Sequence, residues 1–428
     1  YEICLSDWSS DVCSSDLGGV IGKFPLQNWL LEGGLFTFSA RNLTNFADLL
    51  RGVTADGKAT NRIIIYDPGS ETDSLSGEGR LTRIWQAGDM QHRLVFSARG
   101  RIKDRLFGGT QRIDLGPSSA VLPDFRAQPA LLPQVKDKDN VRQMSFGVAY
   151  GFKWLSHGSI DLSVSRAQYR KNISFADAAL PSVLTKDTPI LVTATGTLNL
   201  SPRLTAYGGF VRGLEEALVA PDIATNRSEA PPAIRTRQMD FGLRYAVTSK
   251  MSLVAGLFSV QKPYFNLDPS LRYRQLGQVD NRGLEVSLAG PIRPGLSLVA
   301  GALLLDPKIA GEAVDARLIG VRPVGVVRTR GIANLDWRFA NGTSPWSVDI
   351  AFEALSSRVA NARNTLSAPP RQNVNLGTRY RFKVDGHPVL FRAQAMNLFN
   401  DYGWQVSSSG GFTYSNGRTF MAQLVMDL

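Results

Sequence analysis

Side chains alternate between apolar and polar over most of the chain, from about residue 76 to the C-terminus. In Met239–Tyr245, every second residue is apolar, while Asp240 and Arg244 lie among the positions between them. Because successive side chains of a β-strand point to opposite faces, such a segment has one apolar and one polar face. Trp346–Glu353 and Val374–Lys383 follow the same pattern. The alternation therefore predicts strands that separate water from an apolar environment.

Very short turns alternate along the sequence with long polar segments. The short turns are expected near Gly88–Asp89, Ser156–His157, Ser201–Pro202, Thr248–Ser249, Ile292–Pro294, Asn341–Gly342 and Asp385–Gly386. The long segments lie at about 105–139, 173–188, 214–233, 265–277, 309–325, 359–370 and 403–417. Bacterial membrane barrels have short turns on the periplasmic side and longer loops outside. The spacing predicts an all-β chain that forms a transmembrane antiparallel β-barrel.

The pattern predicts about 15–17 strands, with long loops outside and apolar side chains toward lipid. About fifteen strands follow residue 76, and Leu30–Ala40 and Arg62–Tyr66 add two more whose pairing is open. The side chains expected to face lipid include Met239, Phe241, Leu243, Val348, Ile350, Phe352, Val374, Leu376 and Tyr380. We expect the first and last strands of this incomplete cylinder to leave an unpaired edge.

Membrane crossing by helices is excluded by the length of the apolar runs. The longest of them, Leu296–Leu305, contains Gly301 and is far shorter than the roughly 18 residues of a membrane helix. Only helices and closed barrels satisfy their backbone hydrogen bonds within lipid. The formal charge of +11 indicates a basic lumen or loop surface. No recognition helix, zinc spacing or RNA-binding signature accompanies the basic residues, which argues against a nucleic-acid partner.

The first 17 residues differ from the rest of the sequence. The segment Asp7–Leu17 resembles the translation of a sequencing adapter. We therefore expect residues 1–17 to be non-native and to pack on nothing, and residues 18–428 to form the barrel. An ordinary Ser- and Asp-rich terminus is the alternative. Cys4 and Cys13 lie in or beside this segment, so we expect no disulfide or thiol chemistry in the remainder. A signal peptide or an N-terminal domain would have preceded the native chain.

Several motifs resemble the barrel of TonB-dependent outer-membrane receptors, and of siderophore receptors in particular. The strongest stretch is Phe391–Tyr402, followed by Asn416–Met421. It is similar to the strand of the form Asn-Leu-Phe-Asp-x-x-Tyr and the Gly-x-Arg motif that end such barrels. Further matches are Tyr207–Gly213, then Pro231–Pro232 leading to Gln238–Leu243, and Gly277–Val286. Leu428 departs from the family, whose barrels usually finish on an aromatic residue.

The resemblance implies a receptor in the outer membrane of a Gram-negative bacterium, in contact with lipid and lipopolysaccharide. Such receptors bind a scarce ligand from outside, often a ferric siderophore, and move it past a plug domain whose N-terminal box is pulled by TonB. Vitamin B12, haem, other metal chelates and oligosaccharides remain open as ligands. Large transporters of this kind have about 22 strands and a plugged lumen. We therefore expect this chain to lack the plug, the TonB-contacting region and several strands.

The candidate ligand-binding residues are basic or aromatic side chains near extracellular strand ends, namely Arg105, Arg212, Tyr264, Arg272, Tyr273, Trp404 and Tyr414. Arginine binds carboxylates bidentately, and aromatic faces contact flat ligands. The alternative for the aromatic residues is the interfacial girdle of a barrel. Arginines on the polar strand faces either attract anionic ligands or hold the plug and lumen water. These are Arg93, Arg99, Arg101, Arg244, Arg379, Arg381 and Arg392.

Catalysis and metal binding find no support in the sequence. His157 and His387 are expected in short periplasmic turns, and His92 near the periplasmic end of its strand, so none lies beside an external nucleophile. We expect no enzyme activity, no cofactor and no metal site, because the chain has no Cys or His cluster. The alternative function is that of a passive or substrate-specific porin, which would have fewer strands and an open channel. A soluble or adhesive β-protein would not need an apolar outer face on nearly every strand.

Overall fold

The computed structural model describes residues 2–8, 13–42, 45–132, 135–220, 224–227, 229–268, 270–406 and 411–426. Residues 9–12 of the adapter-like segment and Leu428 lie outside the described residues.

The first half of the chain contains, in order, β1 (Glu2–Trp8), β2 (Cys13–Leu26), β3 (Trp29–Asn42), β4 (Asn45–Arg51), β5 (Lys58–Ala59), β6 (Asn61–Asp67), β7 (Ser70–Ala87), β8 (Met90–Phe107), β9 (Gln111–Asp114), β10 (Ser118–Ser119), β11 (Asp137–Trp154), β12 (Gly158–Ser174), β13 (Val183–Asp187), β14 (Ile190–Ser201) and β15 (Leu204–Glu215).

The second half contains β16 (Ile234–Ala246), β17 (Ser252–Leu267), β18 (Tyr273–Arg293), β19 (Leu296–Ala310), α1 (Glu312–Asp315), β20 (Thr329–Arg338), α2 (Phe339–Gly342), β21 (Trp346–Leu355), β22 (Arg358–Val359), β23 (Ser367–Ala368), β24 (Arg371–Val384), β25 (His387–Met396), β26 (Trp404–Val406), β27 (Gly411–Tyr414) and β28 (Thr419–Met426). No helix within the described ranges is long and apolar enough to cross a membrane.

The long strands form one antiparallel meander in which each pairs with the next long strand along the chain. Within the described residues, seventeen strands form this sheet, from β2 and β3 through β7, β8, β11, β12 and β14–β21 to β24, β25 and β28. The short β13 pairs with β12 beyond the end of β14. The predicted all-β transmembrane antiparallel barrel, with about 15–17 strands, is confirmed.

The short connections all lie at one end of the barrel, as the turn spacing predicts. At the β24–β25 hairpin, Asp385 and Gly386 both have positive φ, 49° and 86°. An Asp-Gly pair suits this conformation, because a two-residue hairpin turn of type I′ requires positive φ at both positions. The long segments lie at the opposite end. Because periplasmic turns are the short ones, the opposite end is the extracellular mouth.

Large apolar side chains cover the outer face of the barrel. Phe241 on β16 is 62% exposed, and Leu257, directly opposite on β17, is 60% exposed. Along each strand, the polar side chains that alternate with these apolar residues face the lumen. There, on β24, Arg379 contacts the carboxylates of Asp336 and Asp349. The strand register therefore agrees with the lipid-facing and lumen-facing sets expected from the alternation.

An aromatic girdle marks the periplasmic edge of the outer face. The His92 ring lies 5.1 Å from the Trp85 ring and 5.5 Å from the Phe152 ring, measured between centroids. His92 Nδ1 lies 2.8 Å from the hydroxyl oxygen of Tyr150. Tyr and Trp rings at this level are typical of membrane barrels. His92 thus lies near the periplasmic end of its strand, as expected, and belongs to an interfacial cluster.

The first and last strands of the meander form a seam. The curled sheet has the shape of a closed barrel. Among the described residues, however, β2 pairs only with β3, and β28 pairs only with β25. Side chains on both faces of β28 are exposed along its whole length. The expected unpaired edge is therefore present between these two strands.

A second sheet covers part of the extracellular mouth. It has six strands in the order β26–β27–β1–β4–β6–β9 and joins three long loops. Two expectations are wrong here. Residues 1–17 do not lack contacts, because β1 pairs with β4 and β27, and β2 pairs with β3 along the barrel wall. Arg62–Tyr66 is a strand, but it belongs to this mouth sheet and not to the barrel.

Candidate ligand site at the extracellular mouth

Four aromatic side chains of the last long loop meet at the mouth. Trp404 lies 4.4 Å from Tyr414 and 5.9 Å from Phe412, and Tyr402 lies 5.5 Å from Tyr414, all between ring centroids. The local fold explains this arrangement, because β26 and β27 pair with Trp404 directly opposite Tyr414. Cross-strand neighbours on one face lie within about 5.5 Å of each other. We call Tyr402, Trp404, Phe412 and Tyr414 the aromatic cluster.

Part of the aromatic cluster is buried against neighbouring loops, and part of it is exposed to solvent. Trp404 and Tyr414 pack against Leu50 of the mouth sheet and Ala59 of β5, and Phe412 is itself only 9% exposed. Tyr402, in contrast, is 64% exposed. The buried rings therefore hold the loop in place, while the exposed ring presents a face to solvent.

Two arginines lie beside the aromatic cluster. Arg358 is 8% exposed and donates a hydrogen bond from Nη2 to the carbonyl oxygen of Trp404 at 2.5 Å. Arg371 lies next to Gly403, where an added Cβ would come within 3.6 Å of its Cδ. Within the described part of the chain, the buried Nε of Arg371 has no hydrogen-bond partner. Burial, and then the nearby charge of Arg371, lowers the pKa of Arg358. A bound anion would stabilise both charges.

A charged network holds another long loop against the lumen wall. Glu216, just after β15, accepts hydrogen bonds from Lys103 at 2.5 Å and Arg101 at 3.1 Å. Lys171 is 2% exposed and lies 3.4 Å from Glu216 and 3.2 Å from Asp139. Burial raises the pKa of Glu216, but the Lys103 hydrogen bond and the surrounding cations outweigh it and hold that pKa below its usual value. The carboxylate therefore stays charged and anchors the loop.

The structure brings only some of the seven candidate residues together. Trp404 and Tyr414 are in direct contact, as described above. Tyr264 packs into a loop core with Leu276 and Ile309, so its ring is partly buried. Tyr273 lies 6.1 Å from Phe265 between centroids, and its backbone N–H donates to Asn226 Oδ1.

The three candidate arginines are dispersed. Arg105 lies on the lumen face near the end of β8, with its guanidinium carbon 5.2 Å from the centre of the Phe107 ring. Arg272 is exposed, and its backbone N–H donates to Asp268. Arg212 lies on the outer face of β15, directly opposite Arg237 of β16. It therefore points away from the lumen.

Most of the lumen arginines have partners within the barrel wall. Arg93 pairs with Asp161 at 2.7 Å, and Arg99 lies 3.7 Å from Glu78. Arg381 donates to the hydroxyl oxygen of Ser347 at 3.2 Å. Within the described residues, no group of three or more His, Cys, Asp or Glu side chains could hold a metal ion.

Sequence reasoning missed Arg358, Arg371, Tyr402 and Phe412 as members of the candidate site. Arg358 and Arg371 flank the long segment at 359–370, and Tyr402 ends the strongest family-like motif. Their positions at strand ends were a usable signal. Nothing in the sequence indicated that these four side chains come together, because this depends on how two separate loops pack.

A family model described as "TonB dependent receptor-like, beta-barrel" matches residues 27–400. The ferrichrome receptor FcuA of Yersinia enterocolitica is 23% identical over 415 residues, which cover 91% of this chain and 52% of that protein. The chain thus spans about half the length of this relative.

Solved structures show the same fold. BauA, the ferric preacinetobactin receptor of Acinetobacter baumannii, matches with a TM-score of 0.79 at 19% identity, over 96% of this chain and 62% of that one. The siderophore receptor PiuA of the same species matches with a TM-score of 0.78 at 14% identity, over 97% of this chain and 64% of that one. The chain belongs to the TonB-dependent receptor family, and its barrel lies in the outer membrane of a Gram-negative bacterium.

Proposed function

We propose that the complete protein takes up a ferric siderophore across the outer membrane, with energy transmitted by TonB. The family and the names of the relatives support this, since they include a ferrichrome receptor and a ferric preacinetobactin receptor. The chain spans 52% of FcuA. A plug with its TonB-contacting segment would belong to the remaining length of the complete protein. Transport of this kind has no covalent step, so we assign the protein no enzyme activity.

The observation that carries the proposal is the aromatic cluster beside Arg358 and Arg371. A buried, unpartnered guanidinium nitrogen next to a second arginine favours an anionic ligand. Exposed aromatic faces favour flat groups such as catechols. The site therefore suits an anionic ferric chelate with aromatic iron-binding groups. The iron is cargo held by its chelator, so the site requires no metal ligands from the protein.

The test is equilibrium binding of two radioiron-labelled chelates, one anionic ferric catecholate and the uncharged ferrichrome. Arg371→Gln should weaken catecholate binding by about tenfold, since hydrogen bonds to charged groups are among the strong ones. Its effect on ferrichrome should be much smaller. Trp404→Ala should weaken catecholate binding, and Trp404→Phe should restore most of it because the ring face is kept.

The matched control is Arg282→Gln. Arg282 lies on the outer face of β18 and pairs with Asp280 at 2.6 Å. This variant should bind both chelates as the unmodified protein does. Equal catecholate affinities for the unmodified protein, Arg371→Gln and Trp404→Ala would refute the assignment of the site.

A further inference from the structure

The side chain of Asn397 joins the two ends of the last long loop. Its Nδ2 donates to the carbonyl oxygens of Asp401 at 2.9 Å and Asn416 at 3.0 Å, and its Oδ1 accepts from the backbone N–H of Asp401 at 2.8 Å. Asp401 directly precedes Tyr402, the first member of the aromatic cluster. Asn416 comes shortly after Tyr414, its last member. The aromatic cluster therefore belongs to a loop whose base is closed by this carboxamide.

Asn397 is buried in a backbone conformation that few residue types adopt. It is 4% exposed, and its φ is 50°. Asn and Gly tolerate this left-handed region, whereas most other residues are strained there. Its own backbone N–H donates to Asn375 Oδ1 on β24 at 2.8 Å, just after the end of β25. Because both Nδ2 hydrogens and Oδ1 are in use, loss of this side chain would remove the partners of three backbone groups.

The same end of the loop contacts the arginine side of the candidate site. Asp401 Oδ2 accepts a hydrogen bond from the backbone N–H of Gln372 at 3.2 Å. Gln372 directly follows Arg371 in β24. Farther along the loop, Gly403 lies against the Arg371 side chain. The carboxamide therefore lies at the start of contacts that reach both the aromatic cluster and Arg371.

Asn400 offers an internal comparison with Asn397. It has the same left-handed backbone, with a φ of 55°. Its Oδ1 accepts a hydrogen bond from the backbone N–H of Arg418 at 2.8 Å, and Arg418 directly precedes β28. This bond leads toward the barrel wall and not toward the aromatic cluster. The two asparagines thus share a conformation and differ in what they hold.

We propose that Asn397 is a positioning residue for the candidate ligand site. Its carboxamide holds the two ends of the loop together and, through Asp401, sets the position of the aromatic cluster relative to Arg371. It acts on the ligand only through these other side chains. The inference rests on the proposed function for the identity of the ligand, whereas the geometry belongs to the protein without ligand.

The first test measures how accessible the Trp404 ring is, by acrylamide quenching of the fluorescence of the folded chain. Subtracting the signal of the same chain with Trp404→Phe isolates this tryptophan. Asn397→Gly keeps the left-handed backbone free of strain and removes the side chain. The quenching constant of Trp404 should then rise about twofold, because local opening exposes a ring that is half-buried in the intact loop.

Asn397→Asp should raise the quenching constant in the same way. It keeps the shape and the acceptor oxygen, but it replaces the two N–H donors with an oxygen that faces carbonyl oxygens. Asn400→Gly is the matched control, because it removes an asparagine side chain of the same backbone conformation from the same loop. It should leave the quenching of Trp404 unchanged.

The second test is a double-mutant cycle of Asn397→Gly and Arg371→Gln, read out by equilibrium binding of the anionic ferric catecholate. Each single variant should lose about tenfold in affinity. The double variant should lose little more than either one, since effects of residues that act through one another are not additive. A loss of about a hundredfold in the double variant would overturn the proposal, because it would show that the two residues act independently.

Two outcomes separate this inference from the proposed function. Heat-modified migration on gels selects the variants that are folded, and Asn397→Asp serves in place of Asn397→Gly where the glycine variant does not fold. Unchanged quenching of Trp404 in a folded Asn397 variant would overturn the positioning role, and would leave the ligand assignment to Arg371→Gln. Raised quenching, together with equal catecholate affinity in every variant, would refute the proposed ligand and support the positioning of the loop.

Discussion

Neighbouring residues of one strand experience different surroundings in this barrel. Phe241 on β16 is exposed on the outer face among apolar side chains, whereas Asp240 accepts hydrogen bonds from Gln238 on the lumen face. The difference follows directly from the two-residue period of a strand. The same period already places Arg212 on the outer face, two residues from Phe210, although the sequence made it a candidate ligand residue.

We predict that arginine is tolerated at residue 240 and not at residue 241. Phe241→Arg should destabilise the folded barrel by about 2–4 kcal/mol, because it places a charge on the lipid face within the apolar band. Asp240→Arg should have a much smaller effect, since its side chain faces the aqueous lumen. Urea titrations of the barrels folded into lipid vesicles measure the free energy of unfolding of both variants. Equal losses of stability would mean that the two faces have been exchanged.

The residues of the candidate site were only partly predictable from sequence. Trp404 and Tyr414 were identified because aromatic residues near a strand end are a local feature. The role of Arg358 depends on its burial against Trp404, and that burial comes from a contact between two loops. Alternation along a strand contains no information about such contacts.

At the scale of elements, alternation predicts that a strand exists but not which sheet it joins. Arg62–Tyr66 is a strand as expected, yet it pairs with β4 and β9 in the mouth sheet. Ile63, at 1% exposure, is buried there. The wrong assignment has a physical reason, because a short apolar run fits a soluble sheet as well as a membrane wall.

The loop after β15 should be released when Glu216 is protonated or neutralised. Because the pKa of this carboxyl is lowered in the folded protein, the anchor is present above the ordinary pKa of Glu and is lost as the pH falls through the lowered value. Pepsin cleavage beside Leu218 of this loop should therefore remain slow just below the ordinary pKa of Glu and accelerate at lower pH.

The variant Glu216→Gln should expose the same loop at neutral pH. Trypsin should then cleave after the exposed Arg227 faster than in the unmodified protein, because Lys103 and Arg101 no longer have a charged partner. Glu215→Gln is the control, since Glu215 is half-exposed and lies 3.9 Å from Lys262. Identical cleavage rates for the two variants would show that Glu216 does not anchor the loop.

At the scale of the molecule, most of the architecture followed from turn spacing and alternation, including the strand number and the position of the long loops. The structure of the N-terminal segment did not follow from these patterns. Cys13–Leu26 forms the first wall strand, although composition suggested a tract without contacts up to residue 17. Backbone pairing with β3 needs little from side chains, so an unusual composition does not prevent it.

We predict that the complete protein carries out energised, ligand-specific transport and not diffusion through an open channel. The porin alternative uses the same wall but needs neither TonB nor a plug. Ligand binding at the mouth is compatible with both functions, so binding assays with the isolated barrel do not distinguish them.

The most direct measurement is uptake of a radioiron-labelled ferric siderophore by cells that produce the complete protein, with and without TonB. Conductance of the purified complete protein in planar bilayers is recorded alongside. We predict saturable uptake that stops when TonB is absent, together with a closed channel in the resting protein. Uptake that continues without TonB, through a permanently open channel, would contradict the account and establish the porin alternative.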